Sequence, residues 1–497
     1  MKNNKLLNKK EFGDFQTPLE LSSLMINIIK DKNIHPDIVI EPTCGIGNVL
    51  LTAHDSLNPK KTIGIEINND HYNALLNKIN EKNICIINND IFISIDSIKE
   101  NINNKDICLF TGNPPWVTNS ELCSINSTNI PEKENIKNLR GIEAITGKSN
   151  FDITEYIIIK LLEEFKINKC VFAFLCKTSV ARNILKHCWK KNIQYNEALI
   201  FPIDSKKYFN ASVDACFFII DAMQKMSTKE CKVFDSIEQR NYKSTIGIYK
   251  NTMIVNMDTF KSHNYLGECN YKWRNGIKHD CSKVMEFDIK NNSLVNGYGE
   301  TVDIEHALLY PLLKSSDVAN GKIEVRKKIL VTQKQVGENT DYIKTKYPRT
   351  WQYLNDYIAD FNKRKSSIYK NKPKFSIFSV GEYSFYPYKI AISGLYKNIN
   401  FKILYPIDKK PIMVDDTCNF ISCNNESEAN TIFSLLTNNN TSIFLESIIF
   451  WDSKRPITTE ILNSIDIRKI ANDNYLWEHY SVLMGYNKIA HKEKLFN

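Results

Sequence analysis

The sequence predicts an α/β protein, with a mostly parallel, doubly wound sheet in the first half and an α+β region in the second. Three observations predict it. Apolar, strand-like runs alternate with helical patterns up to about residue 225. Four of these runs lead into a carboxylate or an amide, at positions 41, 66, 90 and 113, so the intervals are 25, 24 and 23 residues. Each interval holds one strand, one helix and two loops, and right-handed crossovers then align the carboxyl ends of the strands along one edge. After about residue 225 the alternation weakens, and aromatic and basic residues interleave. A chain of 497 residues exceeds one ordinary core, so two domains are expected, 1–225 and 226–497.

Composition narrows the class. The chain is 42% hydrophobic and 24% charged, with 17 Gly and 15 Pro, which excludes disordered and fibrous proteins. A formal charge of +9 permits a polyanionic partner without requiring one. The 13 cysteines form no C-x-x-C pair, and Cys85, Cys108, Cys170 and Cys216 fall in apolar runs. That pattern fits buried thiols in a reducing compartment better than disulfides or zinc. The N-terminus lacks an apolar core of signal-peptide length, and no apolar run reaches about 18 residues. A cytoplasmic protein with no membrane span is expected.

Taken in order, the chain opens with Phe12-Gly13-Asp14-Phe15-Gln16-Thr17-Pro18 before a helical pattern from Leu19 to Ile29. Pro18 suits a first helical turn and Thr17 its cap. Asp37 to Glu41 reads as a buried parallel strand. The turn Pro42-Thr43-Cys44-Gly45-Ile46-Gly47-Asn48 follows and leads into a helix to about Ala53. A strand, a glycine-rich turn and a helix bring backbone close to a bound nucleotide. Glu66, ending the run from Thr62, is suited to accept from two ribose hydroxyls. Asp90, ending the run from Ile84, is suited to an adenine amino group, with Ile67 and Ile91 against its faces. Each acid alone also fits a solvated strand end or a helix cap.

The fourth run, Asp106 to Phe110, precedes Asn113-Pro114-Pro115-Trp116. Two prolines stiffen this loop and leave carbonyls unpaired by any ladder. The Asn113 side-chain oxygen and the Pro114 carbonyl can accept both hydrogens of one amine, and Trp116 offers a flat apolar surface. A stiff turn around a buried tryptophan is the alternative.

Together, Thr17-Pro18, Glu41-Pro42-Thr43-Cys44-Gly45-Ile46-Gly47, Glu66, Asn89-Asp90 and Asn113-Pro114-Pro115-Trp116 resemble the motif series of amino-methylating, S-adenosylmethionine-dependent DNA methyltransferases. Their order is that of the γ class, with cofactor motifs first, catalytic loop next and target recognition last. The resemblance implies a Rossmann-like methyltransferase core and S-adenosyl-L-methionine as cofactor. Its cofactor site would be Thr17, Pro18, Glu41, Pro42, Cys44, Gly45, Gly47, Glu66, Ile67, Asp90 and Ile91. It further implies that Asn113 and Pro114 hold the N6 amine of a flipped adenine while Trp116 stacks on the base. Trp116 replaces the commoner Tyr or Phe. Phe209, in Phe209-Asn210-Ala211-Ser212-Val213-Asp214, resembles the family's aromatic on the opposite side of the base, and core packing would place it equally well. Residues 117–146, polar and with clustered lysines, look like an active-site loop that orders on DNA.

The second half, from Trp273-Arg274-Asn275-Gly276-Ile277-Lys278-His279 onward, resembles the recognition half of stand-alone modification methyltransferases from type II restriction systems. Residues 363–374 hold six basic side chains and no acid: Lys363, Arg364, Lys365, Lys370, Lys372 and Lys374. Such runs supply sequence-independent phosphate contacts. Arg274, Lys278 and Lys389 are further candidate DNA contacts. His279, Asp280 and Cys281 are adjacent and do not converge easily on one metal, so a structural role is expected and no metal site. The final segment, from Ile461, reads as helices with a basic end. No nuclease constellation is evident, so the partners implied are double-stranded DNA and a separately encoded endonuclease. Cytosine-N4 methylation, glutamine methylation of a protein and a non-catalytic binding module compete with this reading.

Overall fold

The structure, a computed structural model, describes residues 15–117, 152–291, 293–322, 324–474 and 476–483. The loop expected at 117–146, apart from Val117, and the basic C-terminal end lie outside the described residues, as do Phe12 to Asp14. The chain divides into two compact units, Met1–Asp258 and Thr259–Asn497.

In the first unit β1 (Ile38–Glu41), β2 (Lys61–Ile65), β3 (Ile84–Ile87), β4 (Ile107–Gly112) and β5 (Lys169–Lys177) are parallel. Between them run α1 (Leu19–Asp31), before β1, then α2 (Asn48–Leu57), α3 (Asn69–Leu76), α4 (Ile91–Glu100) and α5 (Ile153–Glu164). After β5 come α6 (Thr178–Lys191), β6 (Glu197–Ile203), the short α7 (Ser205–Phe209) and β7 (Ala215–Asp221). β7 inserts antiparallel between β5 and β6. The sheet continues through β8 (Cys231–Phe234), β9 (Tyr242–Tyr249) and β10 (Thr252–Ile254). Its order is β10-β9-β8-β6-β7-β5-β4-β1-β2-β3.

Strand alternation divides the core. Val39, Leu109, Val171 and Ala173 face a cluster with Leu21, Met25 and Ile29 of α1 and Val49 and Ala53 of α2. On the other side Phe110 packs on Phe172 and on Phe165, just past α5, at ring distances of 5.2 and 4.8 Å. Helices therefore cover both faces, and the β-branched runs of these strands are buried as parallel strands require. The chain runs outward from β1 through β2 to β3, then crosses to β4 on the other flank of β1. That reversal is a topological switch point, and ligands of open α/β sheets bind outside the strand ends there.

Two expectations need correction. The first unit does not end near 225, because β8 pairs with β6 (Leu199 with Lys232, Ile200 with Val233) and carries an antiparallel meander into the same sheet. The weakened alternation there marks a change in connection, and the compact division follows Asp258. Thr17 does not cap α1 either. Pro18 occupies the N-cap position in extended backbone (φ −60°, ψ 145°), while the Thr17 carbonyl accepts from Asn48 Nδ2 at 2.8 Å.

The second unit is α+β. One sheet orders β14 (Thr301–Val302), β13 (Ser293–Val295), β12 (Glu286–Lys290), β16 (Lys327–Leu330), β15 (Leu309–Leu313) and β19 (Met413–Val414). The other orders β11 (Arg274–Asn275), β20 (Cys418–Cys423), β17 (Tyr388–Ser393) and β18 (Lys402–Leu404). The His279 ring faces Glu286 at 3.2 Å inside the unit. Glu286 also binds Lys314 at 2.7 Å, and these partners hold its carboxyl down at about 2 against the cost of burial. No helix among the described residues is long and apolar enough to cross a membrane.

Candidate active site

The loops after β1 and β4 flank the switch point. After β1, the chain turns through Gly45 and Gly47 into α2. Gly47 has φ +83°, and a Cβ there would lie 2.3 Å from Leu75 Cδ1, so this turn admits only glycine without rearrangement. The Gly45 amide donates to Glu66 Oε2 at 2.7 Å, and the Asn68 amide donates to Glu66 Oε1 at 2.7 Å. Glu66 thus joins the loops after β1 and β2, and its two oxygens already accept backbone donors while retaining further lone pairs.

Glu41 is only 2% exposed at the end of β1. Its carboxyl fits because its neighbour Gly112 (φ +140°) lacks a side chain: a Cβ there would lie 2.7 Å from Glu41 Oε1. Burial pushes the Glu41 pKa well above the usual carboxylate range, and the charge of Glu66 adds to the rise. Burial, with Glu41 and Glu66 nearby, likewise keeps Cys44 as the thiol, which removes it as a nucleophile. Asp90 caps α4, accepting from the Phe92 amide at 2.8 Å, so the helix-cap alternative is realised at this position. Ile67 is exposed and Ile91 buried.

After β4, Asn113 Nδ2 donates to the Phe15 carbonyl at 2.9 Å. That bond fixes the amide's orientation, since a carbonyl accepts only from the NH₂ end. Asn113 Oδ1 is left buried with no partner among the described residues. Among the described residues the Pro114 carbonyl has only a long contact, 3.4 Å, from Thr154 Oγ1, whose shorter bond of 2.8 Å goes to the Pro115 carbonyl. Lys177 Nζ donates to the Trp116 carbonyl at 3.1 Å and pairs with Asp152 Oδ2 at 2.8 Å. Asp152 caps α5 through the Thr154 amide at 3.1 Å. Burial raises its carboxyl pKa, and Lys177 offsets part of the rise.

A short N-terminal strap joins the two loops. The Phe15 carbonyl takes Asn113, Gln16 Oε1 takes the Ile46 amide at 3.2 Å, and the Thr17 carbonyl takes Asn48. Phe15, Trp116 and Phe209 then meet as three rings: Trp116 to Phe209 at 5.2 Å and 72°, Phe15 to Trp116 at 5.8 Å, and Phe15 to Phe209 at 5.9 Å. The structure brings Trp116 and Phe209 together, but edge to face. A base held between them needs parallel rings about 7 Å apart, twice the aromatic contact distance, so one ring must turn first. Sequence reasoning passed over Gln16, Asp152, Thr154 and Lys177, and gave Phe15 no role. Their bonds are mostly to backbone carbonyls and amides, which leave no side-chain signature.

The basic candidates divide within the second unit. Lys363, Lys365, Lys370, Lys372 and Lys374 are exposed. Arg364 turns inward: it donates to the Ser376 carbonyl at 2.7 Å and lies 3.8 Å from the Tyr369 ring, so it anchors the run. Arg274 lies over the Tyr383 ring at 4.0 Å, and Lys278 pairs with Asp280 at 3.3 Å. Lys389 is a correction. It is 1% exposed and donates to the Ile412 carbonyl at 2.9 Å, so it faces the interior and reaches no phosphate. It sits on β17, buried on both faces between β18 and β20, and the aromatic–basic pattern around it was strand alternation.

Acids at the strand ends of a topological switch point, with an oriented amide beside a stiff proline loop, are what a nucleotide-cofactor enzyme acting on an amino group requires. A family model for N-6 DNA methylases matches residues 1–306. The chain is 44% identical over 473 residues to the Type II methyltransferase M.NspV of Nostoc sp., covering 93% of this chain and 98% of that protein. Among solved structures, it is similar to the type IIL restriction-modification enzyme MmeI in complex with DNA, with 13% identity, a TM-score of 0.47, and coverage of 99% of this chain and 78% of that one. A 23S rRNA methyltransferase, ErmE, matches 44% of this chain and 72% of its own at 12% identity and a TM-score of 0.28. The chain belongs to the N-6 DNA methylase family: it is an S-adenosylmethionine-dependent enzyme that methylates adenine N6 in DNA.

Proposed function

We propose that Asn113-Pro114-Pro115-Trp116 holds the N6 amine of an adenine flipped out of duplex DNA, in a cytoplasmic modification enzyme paired with a separately encoded restriction endonuclease. The observation that carries this is Asn113 Oδ1: buried, unpartnered among the described residues, and oriented by the Phe15 carbonyl on its other end. A buried acceptor without a donor needs a reason, and a substrate N–H supplies one. The Pro114 carbonyl takes the second hydrogen. Two acceptors favour a more tetrahedral amine, whose lone pair is then released from the ring, and alignment with fixed dipoles supplies most of the acceleration. Flipping costs a few kcal/mol, which stacking on Trp116 and backbone contacts offset.

S-adenosylmethionine supplies, when bound, an electrophilic methyl group on a cationic sulfur. The residues fit such a ligand: the unpartnered Glu41 Oε2 is a buried acceptor beside the glycine turn, and Glu66 and Asp90 follow along the same edge. Gly45 and Gly47, both at positive φ (+54° and +83°), let that turn pack tightly against Gln16 and Leu75 and so fix its shape beside the acids. The restriction-modification setting is supported by the Nostoc relative, itself named a type II methyltransferase.

Labelled-cofactor methylation of adenine-containing duplexes tests the loop. Losing one oriented acceptor is expected to lower kcat about 10²–10³-fold in Asn113→Ala. Full activity in that variant removes the loop from catalysis. Mass spectrometry of the methylated nucleosides must show N6-methyladenine; N4-methylcytosine would overturn the assignment of the base.

A further inference from the structure

The turn at Gln335, Val336 and Gly337 stands beside the lysine run of the second unit and is built as a rigid projection. Both its ends are stapled to the segment that follows the lysines. Thr332 Oγ1 donates to the Phe375 carbonyl at 2.7 Å, the Ile377 amide donates to Gln333 Oε1 at 2.8 Å, and Thr340 Oγ1 donates to the Lys374 carbonyl at 2.6 Å. Thr332, Gln333 and Thr340 are all buried. Inside the turn, Gln333 Nε2 donates to the Glu338 carbonyl, and Glu338 Oε2 accepts the Lys334 amide at 2.6 Å and the Gln335 amide at 3.3 Å. The one acid in the turn therefore folds back onto its own backbone. At the tip, Gly337 has φ +86° with nothing within 4 Å of a Cβ position, and Val336 is 46% exposed. The Gln335 side chain is exposed, and its carboxamide makes no hydrogen bond among the described residues.

Surface turns often expose glutamine and lysine. This one differs in its buried anchors on both sides, its outward valine and its neighbours. Lys365, Lys370, Lys372 and Lys374 are exposed and make no ion pair among the described residues. Unpaired lysines around a stiff tip that presents one amide and one methyl-bearing side chain complement a duplex groove. A glutamine amide matches the donor and acceptor of adenine in the major groove, and an apolar side chain matches the thymine methyl.

We propose that the Gln335–Gly337 turn enters the major groove of the target duplex and reads one A·T base pair, with the neighbouring lysines on the flanking phosphates. The proposal rests on the duplex-DNA reading above. Methylated sites mapped by sequencing DNA from hosts expressing the wild type, Gln335→Ala, Val336→Ala and Lys372→Ala/Lys374→Ala provide the test, with binding measured against salt on the purified proteins. Gln335→Ala and Val336→Ala are expected to relax one A·T position of the site about tenfold with the salt slope unchanged. The lysine pair is expected to weaken binding uniformly and reduce the slope by about two, leaving the site unchanged. Wild-type discrimination in both tip variants overturns the base-reading role, and an unaltered slope in the lysine variant removes the phosphate contacts. A wild-type protein that methylates no duplex overturns the functional reading itself, which separates the two failures.

Discussion

Replacing Lys177 by methionine removes one ammonium that serves two partners, the Asp152 carboxylate at 2.8 Å and the Trp116 carbonyl at 3.1 Å. The pair is largely shielded, with 21% of the Lys177 side chain and 8% of the Asp152 side chain exposed. Breaking a buried ion pair from one side costs about 3–5 kcal/mol, and the partial exposure of Lys177 puts the expected loss at about 3 kcal/mol. The larger effect falls on the proposed catalytic loop, because the Trp116 carbonyl loses its donor on β5. A misplacement of about 1 Å at a reacting centre costs about a hundredfold in rate, so kcat is expected to fall by that factor while cofactor affinity holds. A Lys177→Met/Asp152→Asn double variant removes the stranded carboxylate. It is expected to regain most of the stability and little of the rate, since the Trp116 carbonyl still lacks its donor. Single-turnover methylation and thermal unfolding on the same samples give both numbers. Wild-type kcat in the folded single variant, or full recovery of kcat in the double, refutes the anchoring argument.

Two titrations follow from buried charges. Burial lowers the Lys389 pKa to about 7, so between about pH 7 and about pH 10 the unfolded chain binds a proton that the fold does not. Stability should rise with pH across that window by up to about 1.4 kcal/mol per unit relative to Lys389→Met, as denaturant midpoints of the two proteins will show. Glu41 is the opposite case: burial and then Glu66 raise its pKa, so the fold retains a proton that the unfolded chain releases above about pH 4. Stability should therefore fall as pH rises from there, less steeply in Glu41→Gln. Calorimetry should also find S-adenosylmethionine, a net cation, bound more tightly as pH rises in the wild type, and that dependence should flatten in the variant.

The fold was legible where burial writes a pattern. Runs such as Ile38 to Glu41 and Cys108 to Phe110 read as buried parallel strands because both faces are covered, and the even spacing of 41, 66, 90 and 113 predicted their shared edge. The first boundary was not legible, because β8 to β10 add to the same sheet by antiparallel pairing without helices between them. Lys389 was misread for a related reason. In a run of alternating aromatics a lysine looks solvent-facing, yet two backbone carbonyls accept from its amino group in the interior.

The candidate site is marked in the sequence by its side chains and not by its backbone contacts. Asn113 and Glu41 stand out in the sequence because each ends or follows a strand-like run, at intervals shared with Glu66 and Asp90. They are two of five side chains on this edge, with Thr43, Thr111 and Trp116, that keep a buried polar atom unpartnered among the described residues. Each such atom costs the fold about 1–3 kcal/mol, which a ligand with matching donors and acceptors relieves. Glu66 differs, since backbone amides already occupy both its oxygens, and its first role is to hold the turn in shape. What no residue pattern could reveal is that Asn113 is oriented by a main-chain oxygen 98 residues earlier. Any residue at position 15 offers that carbonyl. The strap matters through where Gln16 and Thr17 fasten it, so weakening those fastenings should disorient the amide with the catalytic loop itself intact.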